Sequence, residues 1–248
     1  MGKASREKRE RREEADALPR IDVSEDRRSL PVFWIVVGLM VVAGIVALIV
    51  TAPDDKTKAR EDAVADIPAY ADVSVDGPKL AELGDSGSDA AEGESVPTLR
   101  GTGMDDKPLT LRAGGGTPRI YVTMAHWCPH CQKEIPLIVQ WTTDGKIPDG
   151  VEINGISTSV DKGQNNFPPA TWLAREDWPY DTLIDDELGT AADALGVSGF
   201  PFIVFADADG KVVKRTSGEL SLEDFTKYAD EIAKTAPAAD SSSNGAQG

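Results

Sequence analysis

Residues 119–141 read RIYVTMAHWCPHCQKEIPLIVQW, and this stretch decides the fold. Arg119–Met124 is a short run rich in β-branched and aromatic residues, the composition of a strand. From Pro129 to Trp141 the pattern is helical. Pro129 suits a first helical turn, where no N–H is needed, and Pro136 is expected to kink the helix. Between strand and helix stand Trp127, Cys128, Pro129, His130 and Cys131, which include both cysteines of the chain. A three-residue separation places two cysteines on one helical turn. Cys128 then falls at the helix start, where unpaired N–H groups and the helix dipole favour an anion. That environment makes a cysteine thiolate-like, while Cys131, one turn inside, is shielded. The pattern reads as an attacking thiol backed by a resolving thiol.

His130 lies between the two cysteines. A cationic imidazole there favours the thiolate, and a stabilised thiolate makes the corresponding disulfide more oxidising. The chain has two histidines; the other, His126, suits packing as well as tuning. Trp127 is read as a packing residue beside the site. A structural disulfide is a weaker reading, because so short a loop removes little chain entropy. A metal site built from two Cys and two His lacks a second rigid ligand pair. The chemistry needs no organic cofactor.

Outward from this centre the domain alternates strands and helices. Val96–Leu111 reads as a hairpin around Asp105-Asp106-Lys107. Gly114-Gly115-Gly116 lacks the Lys-Ser/Thr of a phosphate loop and is read as a turn. Val151–Thr158 is the next strand, and Pro169–Glu176 and Glu187–Leu195 look helical. Phe202–Ala206 and Lys211–Thr216 flank Asp209-Gly210, a hairpin dipeptide. Ser221 caps a last helix running to Lys234. The closing hairpin must be antiparallel and the helix crossovers favour parallel pairing, so an α/β fold with a mixed sheet is expected.

Residues 32–50 are nineteen apolar or small residues without a charge. As a helix they cover about 29 Å, close to the ~30 Å of bilayer hydrocarbon. A cleaved signal peptide would have a shorter apolar region, a shorter lead and a small-residue exit, so an uncleaved anchor over 31–52 is expected. Nine basic residues precede it within residues 1–30. The positive-inside rule leaves that charged tail in the cytoplasm and the rest outside, a single-pass cell-membrane topology. Residues 53–95 hold twelve acids and four bases and read as an acidic flexible linker, in which only the short run Tyr70–Leu83 could add a strand or turn; 96–235 is the folded domain, and 236–248 a disordered tail. Across 248 residues the formal charge is −16. That balance excludes a nucleic-acid binder, which needs a basic face.

The domain resembles the thioredoxin superfamily over about residues 96–235. The resemblance rests on Trp127 through Cys131 at a strand-to-helix junction, Pro136 within the helix, and Val197-Ser198-Gly199-Phe200-Pro201 before the final hairpin and helix. It implies a thioredoxin-like fold, a mixed sheet flanked by helices behind one transmembrane helix. It also implies a cis proline at Pro201 facing the cysteines, with Trp127, Phe200 and Pro201 binding extended substrate chains. The anchor, the early hairpin and Trp127 look like tethered proteins of the TlpA type, commonly reductants. Pro129-His130 looks like the oxidising DsbA type instead. Cys128, Cys131, Pro129 and His130 are the expected catalytic set, and protein thiols or disulfides the partners, with a further redox partner at the membrane. In one departure, the strand carboxylate of classical thioredoxins is replaced by Val122, leaving Glu134 as a substitute, read as a solvent-exposed residue. The rival reading is a tethered binding or assembly protein without catalysis, for example a metal- or haem-handling accessory.

Overall fold

A central strand that is apolar on both faces orders the domain. In the computed structural model, which describes residues 29–51, 55–84 and 88–237, that strand is Arg119–Met124. Numbered along the chain, the helices are α1 (Ser29–Thr51), α2 (Asp55–Ala63), α3 (Pro129–Thr143), α4 (Pro169–Arg175), α5 (Thr190–Ala194) and α6 (Leu222–Ala233). The strands are β1 (Ser74–Asp76), β2 (Thr98–Gly103), β3 (Pro108–Leu111), β4 (Arg119–Met124), β5 (Glu152–Ser157), β6 (Thr182–Ile184), β7 (Phe202–Ala206) and β8 (Val212–Ser217). Their order across the sheet is β1-β2-β6-β5-β4-β7-β8, with β3 paired to β2. β4, β5 and β6 are mutually parallel, while β7 runs antiparallel to β4 and to β8. This is the thioredoxin-like α/β arrangement.

Alternation along β4 divides the core. Ile120, Val122 and Met124 face one side, packed with Ile135, Ile138 and Trp141 of α3 and Phe225 and Ile232 of α6. Tyr121 faces the other side, with Phe202, Val204, Leu183, Leu195 and Leu99. The two layers follow from the period of two in a strand whose faces are both covered. Trp141 joins the helices, meeting the Phe225 ring edge-on at 5.0 Å and donating from Nε1 to Thr226 Oγ1 at 2.9 Å. Ser221 caps α6 by accepting from the Asp224 N–H.

The acidic stretch 53–95, expected as a flexible linker, is instead built into the domain over its described residues, 55–84 and 88–95. Contacts group Pro53–Gly248 as one compact unit and Met1–Ala52 as another. α2 meets α4 and the turn after it through ion pairs, Glu61 with Arg175 and Arg60 with Asp177. Leu80, Ala91 and Val96 are buried. The Leu80 N–H donates to Ala194 O and the Leu83 N–H to Gly196 O, both at 3.0 Å. Gly196 is required there, because a Cβ would collide with the Ala81 carbonyl and its φ is +70°. The strap is locked by Asp89, which binds Arg215 of β8 through two hydrogen bonds, Nε–Oδ2 at 2.8 Å and Nη2–Oδ1 at 2.5 Å. Arg215 Nη1 also donates to the carbonyls of Ala81 and Leu195. Acidity here builds a clamp because one acid has a buried cation to satisfy it.

In the separate unit, α1 is helical for 23 residues, and Phe33, Trp34, Leu39 and Met40 are exposed. Side chains are described there for residues 33–44, about 18 Å of helix at 1.5 Å per residue. Among the described residues no helix is long and apolar enough to cross a membrane. The charged tail before Ser29 and the end after Pro237 lie outside the described residues.

Candidate active site

Strand register gathers four loops at one end of the sheet. Met124 closes β4 opposite Ser157 of β5, so the turns 125–128 and 158–161 emerge side by side. Thr123 pairs with Phe202, which brings Phe200 and Pro201 against the same turn. Phe202 pairs in turn with Ser217, so Gly218–Leu220 completes the ring.

Cys128 is the N-cap of α3, with φ −72° and ψ 120°, and Pro129 opens the helix. The cysteine is 6% exposed, and its Sγ lies 3.6 Å from Phe200 O. Cys131 is fully buried one turn inside. Burial, foremost, pushes its thiol well above the usual range, and the Cys128 and Glu134 charges act in the same direction. Both cysteines are free thiols. The pair is therefore asymmetric, with one sulfur at the helix start and the other enclosed behind it.

The Phe200–Pro201 peptide bond is cis, as the resemblance implied. Phe200 meets Trp127 edge-on at 6.3 Å. Trp127 is itself fixed by its Nε1 donating to Ser159 O at 2.6 Å, and it keeps 36% exposure. Trp127, Phe200 and Pro201 thus form one apolar wall beside Cys128.

His126 is buried and structural. Its Nε2 accepts the Asp161 N–H at 3.1 Å, so Nδ1 carries the hydrogen and donates to Asn165 O at 2.8 Å. Burial lowers its pKa, so the neutral ring is the form that satisfies both bonds. His130 is exposed, and its Nδ1 lies 2.6 Å from Glu219 Oε1.

Glu134 departs from expectation. It is 3% exposed, not solvated, and both of its carboxylate oxygens accept the Leu220 N–H, at 3.1 and 3.3 Å. Burial pushes its pKa up to about 7 against the opposing Leu220 hydrogen bond, with Glu219 adding repulsion. Val122 is wholly buried among apolar side chains, so the acid near Cys131 comes from the helix, not the strand. The spacing Cys131, Glu134, Ile135, Ile138, Trp141 is the buried stripe of α3, and that periodicity was the signal for it. Sequence reasoning also missed Glu219, which stands 89 residues from His130.

Among the described residues no cluster of His, Cys, Asp and Glu is arranged to hold a metal. A cavity of about 380 Å³ lies near the start of β6, lined by Met104, Leu109, Leu173 and Trp178 among others, and neither cysteine borders it.

Comparison with known proteins places these features. A family model described as Redoxin matches residues 91–232. An uncharacterized protein of Haemophilus influenzae is 28% identical over 129 residues, covering 51% of this chain and 81% of its own. Thiol-disulfide oxidoreductase ResA of Bacillus thuringiensis is 25% identical over 140 residues, covering 56% of this chain and 78% of its own. The crystal structure of a thioredoxin-family thiol:disulfide interchange protein from Chlorobium tepidum is 25% identical, covering 59% of this chain and 99% of that one, with a TM-score of 0.47.

Proposed function

The chain belongs to the Redoxin family and is a thiol–disulfide oxidoreductase; from that premise we propose that it exchanges disulfides with protein substrates through Cys128 and Cys131, tethered outside the membrane by α1. The observation that carries the chemistry is the asymmetry of the pair. Cys128 sits at a helix start beside an apolar wall, and Cys131 is enclosed behind it.

In the reducing direction the Cys128 thiolate attacks one sulfur of a substrate disulfide. A Cys128–substrate S–S bond forms, the substrate S–S bond breaks, and one substrate thiolate leaves. Cys131 then gives up its proton and attacks the Cys128 sulfur. The mixed disulfide breaks, the second substrate sulfur leaves as a thiol, and Cys128–Cys131 closes. The protein loses two electrons and the substrate gains two. Run backwards, the same steps oxidise a substrate dithiol. Glu134, with a pKa of about 7, is the group on the same buried stripe able to take the Cys131 proton at neutral pH. Trp127, Phe200 and Pro201 receive the substrate chain.

Cys128→Ser is expected to abolish insulin reduction by the dithiothreitol-reduced protein, and Cys131→Ser to accumulate mixed disulfides visible on non-reducing gels. Full activity in both variants would refute the exchange mechanism.

The tether rests on nineteen uncharged residues and a basic lead. The full chain is expected to resist extraction from membranes by alkaline carbonate, and protease added outside the cell should remove the domain. A carbonate-soluble chain, or a domain protected from that protease, would reject the topology.

A further inference from the structure

Two side chains at the start of α3 converge on one carboxylate oxygen of the β8–α6 loop. His130 Nδ1 lies 2.6 Å from Glu219 Oε1, and Lys133 Nζ lies 3.2 Å from the same oxygen. Both side chains belong to the first two turns of α3, the positive end of its dipole, where positive charge is electrostatically disfavoured. The helix has no acidic residue of its own in that turn. Glu219 supplies the missing negative charge from another element. It is held in place from behind, because the next residue, Leu220, donates its N–H to buried Glu134. The hydrogen bonds from His130 and Lys133, His130 foremost, keep the Glu219 carboxyl below its usual range.

We propose that Glu219 is a positioning residue that makes the cysteine pair more reducing, by engaging His130 and Lys133 and by placing a competing anion at the helix start that Cys128 occupies. This rests on the oxidoreductase reading and deepens it. The Pro129-His130 dipeptide by itself favours an oxidising pair, since a cation beside Cys128 stabilises the thiolate and hence the reduced form. Glu219 opposes that through charge. With its carboxylate present, positive charge on either side chain is offset and a second negative charge at the helix start is disfavoured. Without it, the Lys133 ammonium, the His130 ring and the helix N–H groups act on Cys128 unopposed.

The cluster is exposed, with side-chain accessibilities of 59% for His130, 66% for Lys133 and 43% for Glu219, so the effect is modest. The test equilibrates the purified full chain in detergent with mixtures of glutathione and glutathione disulfide. Glu219→Gln is expected to shift the equilibrium about threefold to tenfold toward the dithiol, a rise of about 14–30 mV in a two-electron couple. Glu219→Asp should restore most of the difference. In a His130→Ala background the same Gln substitution should shift the equilibrium by less than half as much on a logarithmic scale. The rate of Cys128 alkylation by iodoacetamide at pH 7 should rise with Glu219→Gln in step. A shift under about 1.5-fold, or one undiminished without His130, would overturn the proposal. Alkylation reads the thiolate without turnover. A protein that did not exchange with glutathione, yet was alkylated faster once Glu219→Gln was made, would uphold the positioning role and remove the oxidoreductase reading instead.

Discussion

Two ion pairs built from similar residues do opposite work in this domain. Asp89 and Arg215 are buried, with side-chain accessibilities of 7% and 0%, and they join the acidic strap to β8. His130 and Glu219 are largely exposed and stand beside the cysteines. The first pair is doubly hydrogen-bonded, and its guanidinium also donates to two carbonyls. The second shares one carboxylate oxygen between an imidazole and an ammonium group. Burial decides the difference. A buried ion that loses its partner is left uncompensated in low dielectric, whereas an exposed one is rehydrated. The buried pair therefore specifies structure, and the exposed pair is free to adjust the chemistry. The cysteine end lies wholly within the residues that match the family model, while Asp89 and α2 precede them.

The largest effect is expected at the clamp. Asp89→Ala strands Arg215 and should cost about 3–5 kcal/mol of unfolding free energy, read by urea denaturation of the full chain. Asp89→Leu combined with Arg215→Met should recover more than half of that loss, because no buried charge then remains. Glu219→Gln should cost under about 1 kcal/mol in the same assay. The clamp also has a pH signature. Arg215 holds the Asp89 carboxyl below its usual value. A depressed carboxylate contributes stability above its unfolded pKa, near 4, and loses it as pH falls through the folded value. The wild type should thus lose stability in acid more steeply than the double apolar variant. Equal costs for Asp89→Ala and Glu219→Gln would dissolve the contrast between the two pairs.

The two regions were also unequally legible. β4, α3 and the closing hairpin follow from local signals: β-branched runs, a proline at the helix start, and Asp209-Gly210. β4 and β7 match their expected bounds residue for residue. The strap has only the short run Tyr70–Leu83 as a local signal, and β1 lies within it. The strap's buried Leu80 and Ala91 are isolated among acids, and the cation that satisfies Asp89 lies 126 residues away. Composition registers such acids as mutual repulsion until a partner is known. β6 is three residues long, too short for alternation to declare itself. At the site, the cysteines and Pro201 announced themselves through spacing, whereas the His130 contact with Glu219 depends on the register of β7 with β8. Glu134 is a different case: the apolar stripe of α3 runs through it, and polarity alone argued for solvent.

Glu134 sharpens the comparison, since it is buried like Asp89 but has no cation. Its partner is a single N–H, from Leu220. Desolvation therefore wins and its pKa rises to about 7, opposite in sign to the shift at Asp89. A carboxyl whose folded pKa exceeds its unfolded value, near 4.5, binds its proton more tightly when folded. It stabilises the protein fully below pH 4.5, and that contribution disappears as pH rises through 7. Between pH 5 and 8.5 the wild type should lose on the order of 2 kcal/mol relative to Glu134→Gln, whose amide cannot ionise. Thermal unfolding of both proteins across that range measures the difference. Activity separates the two roles of the residue: if Glu134 also takes the Cys131 proton, Glu134→Gln should slow resolution of the mixed disulfide above pH 7 while leaving its formation unchanged. Parallel stability curves would show that the carboxyl is solvated after all. Equal resolution rates would leave it a structural partner of Leu220 alone.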